Sequence, residues 1–515
     1  MIKTIIKKNN YWDSIFLMNA AREIMKTKGV IDAVLVMGTD MNKTVLKEVG
    51  GLTSEAIAAT PNDLIISLDL EDENIAKDVL ACLERIISDK DKNQNEQETV
   101  YMSLNKAIDA SPEANLVFIS VPGEFATQEA KNALNRGLNT FIFSDNVPLE
   151  DEVELKKMAL EKGLWVMGPG CGTSVINHIS IGMMSTIREG NIGIVGASGS
   201  GIHEIATLID RQGFGISQAI GTGGRDLSKE VGGITMIQGI NFLENDKSTK
   251  VIVLVSKPPA LSTAEKIFHL VKKSTKPVVI FFLGGDQQQI KEVGAYGALT
   301  LEEAAMKAIN LAENETIPSR NFIEKCKIEL AQLASEEKRK LSVKQKYLRG
   351  LFCGGTHSEE ASMLLQDMIG DLYANLSFGN CQKVTNPHSS IKNTLIDMGD
   401  EEFTKGKPHP VIDPSILKER LWKEGSDPEV AVILFDLFLG YGAHQDPVGT
   451  IEETLAALRE KAKEEGRYLS IVASVCGSTK DPQGFNEQKR RLEALGVKVL
   501  PSNAQTAILS GLIIS

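Results

Sequence analysis

A run of small polar residues between a predicted strand and a predicted helix is the part of this sequence best suited to binding an anion. Residues 192–195 form a short apolar run typical of a buried parallel strand, and residues 202–209 have the spacing of an amphipathic helix. The turn between them contains Ser198, Gly199, Ser200 and Gly201. Free backbone N–H groups and the positive end of a helix dipole converge at such a turn, and serine hydroxyls can add donors. We interpret it as a phosphate site, in preference to a turn that needs glycine only for its backbone angles.

The stretch does not fit the common named motifs. It lacks the Lys-Ser/Thr pair that follows the glycines of a Walker A loop. Ser200 stands where a nucleophile elbow has its last glycine, and the third glycine of a dinucleotide fingerprint is missing. The pattern therefore indicates a phosphate-binding turn of another kind.

Four further turns of small residues follow predicted strands. Because the carboxyl ends of parallel strands meet at one edge of a sheet, we expect these turns to bind phosphate or substrate as well. They contain Gly170, Cys171, Gly172 and Thr173; Gly223 and Gly224; Gly354, Gly355 and Thr356; and Gly440 and Gly442.

Three charged or titratable side chains are candidate catalytic residues. Arg225 follows a glycine turn and could clamp a carboxylate or phosphate, although a salt bridge within the loop explains it equally well. Lys257 ends a strand where a sheet presents side chains to ligands, or it neutralises a neighbouring carboxylate. His409, between two prolines, could bind an anion, act as a base or anchor the loop.

Cys171 and His203 carry weaker signals. The glycine turn around Cys171 could lower the pKa of its thiol and make it a nucleophile, but a small buried cysteine is the preferred interpretation. His203 lies one turn into the helix after the first stretch, where it could contact a ligand or simply lie on the helix surface.

Composition limits the class of protein. The chain has 515 residues, a formal net charge of −12 and 42% hydrophobic residues, so about three or four domains are expected. The acidic balance argues against nucleic acid as a partner, and no apolar run is long enough to cross a membrane or to act as a signal peptide. Six cysteines without a C-x-x-C pair suggest a reducing cytoplasm, and the spacing of His, Asp and Glu predicts no metal site.

The elements that must position these residues alternate between strands and helices. We predict an α/β, multidomain protein with doubly wound parallel sheets, Rossmann-like and flavodoxin-like, after a small N-terminal α/β module of the ferredoxin-like type. Residues 88–99 are charged and rich in Asn and Gln, which favours a linker. The predicted divisions are 1–95 for the small module, 110–185 for a Rossmann-like domain, 186–315 and 347–515 for two flavodoxin-like domains, and 316–346 for a helical connector.

Several motifs resemble the FdrA family along nearly the whole chain. They are Phe143-Ser144-Asp145-Asn146-Val147, Met167-Gly168-Pro169-Gly170-Cys171-Gly172-Thr173, the stretch 191–232, and Gly406-Lys407-Pro408-His409-Pro410 with its continuation to Pro414. That family is distantly similar to the NDP-forming acyl-CoA synthetases, typified by succinyl-CoA synthetase. The resemblance implies that residues 110–185 are related to the CoA-binding domain, that 186–315 correspond to the ligase domain of the α subunit, and that 347–515 correspond to the C-terminal ligase domain of the β subunit.

In those synthetases phosphate binds between two helix N-termini, one from each subunit. The resemblance implies that residues 198–201 supply one of them. It places the other at the turn from Gly440 to Gly442 in the first instance, and at Gly354-Gly355 as the alternative. One chain would then build the whole anion site.

The chain also departs from the synthetases. No histidine occurs between His269 and His357, where their phosphorylated histidine would fall, and Lys257-Pro258-Pro259 stands about where the glutamate that orients it is expected. The glycine loop that binds CoA has no counterpart in residues 1–112, and no ATP-grasp region is present. CoA therefore stays possible as a cofactor but is not supported by its usual loop, and we name no certain cofactor.

Members of the family resemble a subunit of oxamate carbamoyltransferase, which interconverts oxalurate plus phosphate with oxamate plus carbamoyl phosphate in allantoin breakdown. The resemblance thus implies a cytoplasmic enzyme subunit that works with other subunits on a small anionic substrate, either phosphate or carbamoyl phosphate. Two alternatives are an acyl-CoA synthetase (succinyl-CoA ligase-like) subunit and a non-catalytic scaffold of the complex.

Overall fold

The computed structural model describes residues 1–515 except 11, 13, 49, 73–74, 94–100, 318–320, 377 and 406. The chain divides into two compact units, one formed by residues 1–102 with 404–408 and the other by residues 103–403 with 409–515. No helix among the described residues combines the length and apolar character needed to span a bilayer.

The first unit contains a three-stranded antiparallel sheet of order β1-β3-β2. Its strands are β1 (Ile2–Lys7), β2 (Val30–Met37) and β3 (Leu64–Leu70), and its helices are α1 (Ser14–Met25), α2 (Asp40–Glu48), α3 (Ser54–Ala58) and α4 (Ile75–Asn93). Residues 88–93, predicted as part of a linker, belong to α4; the rest of that segment, 94–99, lies outside the described residues.

The second unit begins with a small parallel sheet of order β4-β5-β6. Its elements are α5 (Leu104–Ala110), β4 (Leu116–Ile119), α6 (Gly123–Asn135), β5 (Asn139–Ile142), α7 (Leu149–Glu161) and β6 (Val166–Met167). The strands of this sheet alternate with helices along the chain.

The next sheet has seven strands in the order β13-β12-β11-β9-β10-β7-β8. Its neighbouring strands are parallel except for β7, which is antiparallel to both β10 and β8. Its strands are β7 (Thr173–Ile176), β8 (Ile179–Gly182), β9 (Glu189–Gly196), β10 (Ile216–Gly221), β11 (Val251–Ser256), β12 (Val278–Phe282) and β13 (Tyr296–Gly297). Its helices are α8 (Gly199–Arg211), α9 (Ile234–Asn245), α10 (Leu261–Val271), α11 (Gln287–Glu292) and α12 (Leu301–Ala312).

A helix, α13 (Phe322–Lys338), leads to a second seven-stranded sheet, which is wholly parallel and has the order β16-β15-β17-β14-β18-β19-β20. Its strands are β14 (Tyr347–Phe352), β15 (Leu372–Ala374), β16 (Gln382–Lys383), β17 (Asn393–Asp397), β18 (Val430–Phe438), β19 (Ser470–Cys476) and β20 (Lys498–Leu500). Its helices are α14 (Gly355–Leu365), α15 (Glu401–Thr404), α16 (Ser415–Gly425), α17 (Pro447–Glu464), α18 (Phe485–Ala494) and α19 (Asn503–Ile514).

The central strands are apolar because helices cover both faces of each large sheet. Every residue of β11 and of β18 is buried, and Val, Leu, Ile and Phe make up all of β11 except Ser256 and all of β18 except Ala431 and Asp436. A helix starts directly after the carboxyl ends of β9 and β14. This arrangement brings the starts of α8 and α14 to the surface where ligands bind in parallel sheets.

Candidate functional site

The N-terminus of α8 is formed by the serine and glycine turn singled out in the sequence. Ser198 is the N-cap, and its hydroxyl accepts a hydrogen bond from the N–H of Gly201 at 2.9 Å. A side chain at Gly201 would have its Cβ 2.7 Å from Ser198 Oγ, so this position has no room for one. The first-turn N–H groups of Gly199 and Ser200 have no partner within the helix and are available to a ligand.

The N-terminus of α14 has a different cap. Gly354 precedes the helix and offers no side chain, and the carboxylate of Asp436 on β18 accepts from the N–H groups of Cys353 at 2.6 Å and Gly354 at 3.2 Å. A Cβ on Gly354 would stand 3.0 Å from the Cβ of Ser200. Glycine is therefore required here because α8 and α14 approach each other at their starts.

The two helix N-termini meet through their side chains. Ser198 Oγ and Thr356 Oγ1 are 2.6 Å apart, and the N–H of Thr356 makes a long contact of 3.4 Å to Ser200 Oγ. Two positive helix ends in contact repel each other unless a negative group lies between or beside them. The arrangement is thus suited to an oxoanion, which could take hydrogen bonds from both helices at once.

Lys257 lies at the same end of the sheets. Its Nζ is 2.8 Å from Glu359 Oε1 on α14, and its side chain is 45% exposed. Burial raises the pKa of Glu359, and Lys257 partly offsets that shift. The ion pair is the neutralising contact that the sequence left open, and its exposure leaves the ammonium group reachable by a ligand.

His409 and Asp397 meet around Gly399. A Cβ on Gly399 would lie 2.7 Å from His409 Nε2 and 3.1 Å from Asp397 Oδ1. The Nδ1 atom of His409 accepts from the N–H of Val411 at 3.3 Å, which assigns the ring proton to Nε2. Desolvation lowers the pKa of His409 to about 4, so the ring is neutral near pH 7. His409 is therefore a hydrogen-bond donor rather than a cation at this position.

Asp397 was not among the residues that the sequence singled out for chemistry. It is the last residue of β17 and is 4% exposed, and its Oδ2 lies 3.0 Å from the point where a Cβ on Gly355 would stand. Burial raises its pKa to about 7. The available signal was a short apolar run that ends in Asp-Met-Gly-Asp, which places a carboxylate at the carboxyl end of a parallel strand.

A buried network lies behind the two helix starts. His357 Nδ1 is 2.9 Å from Asp436 Oδ2, while its Nε2 is 3.9 Å from Glu204 Oε2 on α8. His203, which the sequence allowed to be a surface residue, is 3% exposed and lies 2.8 Å from Ser185 Oγ through Nε2. These contacts join α8 to the second large sheet, so both histidines are placed as internal residues.

Of the turn from Gly170 to Thr173, only the last residue lies beside the candidate anion site. Thr173 Oγ1 lies 3.3 Å from the point where a Cβ on Gly199 would stand, which puts Thr173 beside the start of α8. Cys171 is buried, and desolvation raises the pKa of its thiol to about 11. Gly170 packs against Asp145, since a Cβ there would be 2.5 Å from Asp145 Oδ1. The geometry agrees with the small buried cysteine and not with an activated nucleophile.

Arg225 takes part in a charge network with α7. Its Nε is 3.0 Å from Glu152 Oε2, and its guanidinium also donates to the carbonyl of Val147 at 2.7 Å. Lys156, fully buried, lies 2.9 Å from Glu152 and 2.7 Å from Asp226. Arg225 thus forms a salt bridge in this structure, which is one of the two roles that its sequence position suggested. Its side chain is still 44% exposed. Gly223 and Gly224 shape the turn that carries it.

The second helix start is at Gly355 and not at the turn from Gly440 to Gly442, which was the first choice. No helix starts at that turn, because α17 begins at Pro447. The turn instead contacts the segment around Met184: the N–H of Tyr441 donates to the Met184 carbonyl at 3.0 Å. Sequence alone could not choose between these two glycine turns, because both follow buried strands of the same sheet.

Sequence models of three families match the chain. The family described as AllF, heavy metal-associated domain, matches residues 1–103; the CoA binding domain matches 187–284; and CoA-ligase matches 351–513. Residues 1–103 contain a single cysteine, Cys82, so they cannot form a Cys-x-x-C dithiol site.

Relatives cover all or part of the chain. The uncharacterized protein YahF of Escherichia coli (strain K12) is 41% identical over 99% of this chain and 98% of its own. Subunit alpha 1 of the ADP-forming succinate–CoA ligase of Archaeoglobus fulgidus is 28% identical over 39% of this chain and 68% of its own. The ADP-forming sulfoacetate-CoA ligase subunit SauD of Bilophila wadsworthia is 28% identical over 39% of this chain and 69% of its own. The likeness to these ligases thus covers a part of the chain, whereas the likeness to YahF covers nearly all of it.

Proposed function

Because the chain belongs to the FdrA family of succinyl-CoA synthetase-like proteins, we propose that it is an enzyme subunit that transfers an acyl-type group to or from phosphate. The observation that carries this proposal is the contact between the N-termini of α8 and α14, where Ser198 Oγ and Thr356 Oγ1 are 2.6 Å apart. Phosphate, or the phosphate group of an acyl or carbamoyl phosphate, would bind at these two helix starts. Relatives named as CoA ligase subunits support an enzyme of this class.

The chemistry asked of the site is stabilisation of charge. When a phosphate oxygen attacks a carbonyl carbon, negative charge decreases on that phosphate oxygen and develops on the carbonyl oxygen. Fixed N–H groups at Gly199, Ser200 and Gly355 and the ammonium group of Lys257 would stabilise that charge without any covalent enzyme intermediate. His409 Nε2–H would supply a neutral donor nearby.

Within this class, carbamoyl transfer is the first candidate reaction. Phosphate would attack the ureido carbonyl of oxalurate, the bond from that carbon to the oxamate nitrogen would break, and the nitrogen would take up a proton. The reaction needs neither a nucleotide nor a phosphorylated histidine. It therefore agrees with the absence of any histidine between His269 and His357 in the sequence.

An acyl-CoA ligase subunit is the second candidate, and the comparisons favour it. The CoA-ligase and CoA binding domain families match 351–513 and 187–284, and the partial relatives are named as ligase subunits. In that case CoA would bind this chain, and a partner subunit would supply the nucleotide. Subunits named alpha also support the proposal that this chain works in a complex with other chains.

Calorimetric titration of the full chain with inorganic phosphate, carbamoyl phosphate and CoA tests the proposal. We expect phosphate to bind, and we expect Ser198→Ala combined with Thr356→Val to weaken its binding at least about tenfold, because the hydroxyl contact between the two helix starts and the hydroxyl proton that it can offer to the anion are both lost. Ser103→Ala is the matched control, since Ser103 also caps a helix, α5, through its side chain.

The outcomes separate the candidates. If the full chain binds carbamoyl phosphate and the double variant binds it more weakly, carbamoyl transfer is favoured. If the full chain binds CoA but not carbamoyl phosphate, the ligase is favoured. If phosphate binding by the double variant equals that of the wild type, the site between α8 and α14 is wrong. If none of the three compounds binds the full chain, the chain is better described as a scaffold for other subunits.

A further inference from the structure

A buried carboxylate with a free oxygen lies beside the proposed anion site. Asp397 is 4% exposed, and its Oδ1 accepts from the N–H of Gly399 at 2.9 Å. No described residue donates a hydrogen bond to its Oδ2, which lies 3.0 Å from the point where a Cβ on Gly355 would stand. An unpartnered acceptor on an almost wholly buried side chain thus lies next to Gly355, the first residue of α14.

The charged groups around Asp397 leave it with an excess of negative neighbours. Asp436 on β18 and Asp400 in the following turn both act against its ionisation, and Lys257 acts in favour of it. Lys257 is also shared with Glu359 of α14. The neutral ring of His409 adds no charge, although its Nε2 lines the same glycine, Gly399. Burial is the largest cause of the raised pKa of Asp397.

A carboxylate in an anion site discriminates between oxoanions by their protons. It repels a fully ionised oxoanion, but it forms a strong hydrogen bond with one that still carries a proton. Phosphate carries a proton at neutral and mildly alkaline pH, as HPO4²⁻, whereas sulfate carries none. Sulfate can therefore bind beside this carboxyl group only when the carboxyl group itself is protonated.

We propose that Asp397 is the specificity-determining residue of this site: its carboxyl group shares one proton with the bound oxoanion and so selects phosphate over sulfate. The inference rests on the proposed anion site between α8 and α14 and adds to it the chemical state of the anion that binds. Above neutral pH the carboxyl group of Asp397 is ionised, and only phosphate, as HPO4²⁻, carries the proton that the complex needs. The site therefore prefers phosphate to sulfate in that pH range.

Titration calorimetry of the full chain with phosphate and with sulfate, at about pH 6 and about pH 8.5, tests this. The affinity of the wild type for sulfate should fall about tenfold for each pH unit above the pKa of Asp397, while its affinity for phosphate should not fall. The preference for phosphate should therefore grow at least about tenfold between the two conditions. In Asp397→Asn the amide donates to either anion, so the preference should change less than about threefold.

Asp400→Asn is the matched control, because it removes a neighbouring carboxylate and leaves the contact between Asp397 and Gly355. It should keep the pH-dependent preference. Proton uptake gives a second measurement on the wild type alone: in buffers of different ionisation enthalpy, sulfate binding at about pH 8 should take up close to one proton and phosphate binding close to none.

Two results overturn the inference without touching the anion site. They are a phosphate preference in the wild type that does not change with pH, and a phosphate preference in Asp397→Asn that still grows with pH as much as in the wild type. If phosphate does not bind, or binds equally well to Ser198→Ala with Thr356→Val, the anion site itself is wrong and this inference falls with it.

Discussion

Cys171 lies in a glycine turn whose amide groups could favour a thiolate, yet its surroundings act in the opposite direction. Burial raises its pKa to about 11, and the bonds from Thr173 and Ser174 that lower it are too weak to compensate. Because the thiolate is the reactive form, a buried thiol with a raised pKa is slow to react. The same reasoning applies to the other buried cysteines, whereas Cys82 is partly exposed.

We therefore expect selective alkylation of the folded chain. With iodoacetamide at about pH 8, Cys82 should be modified first, and Cys171 should react only after denaturant is added. Peptide mapping by mass spectrometry reads both sites in one experiment, with the denatured chain as the reference for full modification. Rapid modification of Cys171 in the folded chain would show that its turn activates the thiol after all.

At the scale of the elements, a buried lysine of helix α7 forms an ion pair with the turn after β10. Lys156 contacts Glu152 within α7 and Asp226 in the turn, and it also donates to the carbonyl of Thr222 at 2.9 Å. Asp226 in turn accepts from the N–H groups of Thr235 and Met236 at the start of α9. Lys156, together with Arg225 on Glu152, thus balances two buried carboxylates that hold three pieces of the fold together.

Replacement of this lysine should be costly. Lys156→Met leaves Asp226 buried without its cation and leaves Glu152 paired with Arg225 alone, and the loss of one partner of a buried ion pair costs about 3–5 kcal/mol. The neighbouring Lys157 is exposed, so Lys157→Met is the matched control and should change stability by less than about 0.5 kcal/mol. Urea unfolding of the two variants side by side measures the difference. Equal midpoints for both would mean that the pair is not needed for stability.

The elements themselves could be predicted from sequence, and the reason is local. Strands such as β11 and β18 are buried on both faces, so they consist mostly of apolar residues, and the glycines and serines after β9 mark the start of α8 directly. These predictions needed only neighbours in sequence.

The pairing of helix starts could not be predicted in this way. Ser198 and Thr356 are 158 residues apart, and they meet only because two separate sheets pack through α8 and α14. The glycine turn after β18 looked at least as suitable, and nothing in its own sequence shows that it contacts Met184 instead. Asp397 was missed for the same reason, since its role depends on Gly355 of another element.

At the scale of the whole molecule, helices of the two seven-stranded sheets in the second unit meet through buried carboxyl groups. Glu360 on α14 accepts from the N–H of Leu301 on α12 at 2.7 Å and from Asn503 Nδ2 on α19 at 2.7 Å. Burial raises its pKa to about 7, and Glu204 on α8 adds to that shift, while His357 opposes it. Burial thus links the protonation of Glu360 to the packing of these helices.

This linkage gives stability a pH dependence of known sign. The folded chain holds the proton of Glu360 more tightly than the unfolded chain, whose carboxyl has a pKa of about 4.5. The stabilisation is complete below that value and is lost as the pH rises through about 7, by up to about 1.4 kcal/mol per pH unit. Glu360→Gln mimics the protonated group, so it should lack this loss.

We expect the difference in thermal midpoint between Glu360→Gln and the wild type to shift in favour of the variant as the pH rises from about 5 to about 8. Calorimetric midpoints at the two pH values measure it, and the contributions of other groups, such as the neutral His203 and His409, cancel in the difference between the two proteins. Glu313→Gln on the exposed end of α12 should show no such shift, because its carboxylate is solvated in both states. A constant difference for Glu360→Gln would place the carboxylate, rather than the protonated acid, in the folded chain near neutral pH, and the packing of α12, α14 and α19 would then have to accommodate a buried negative charge.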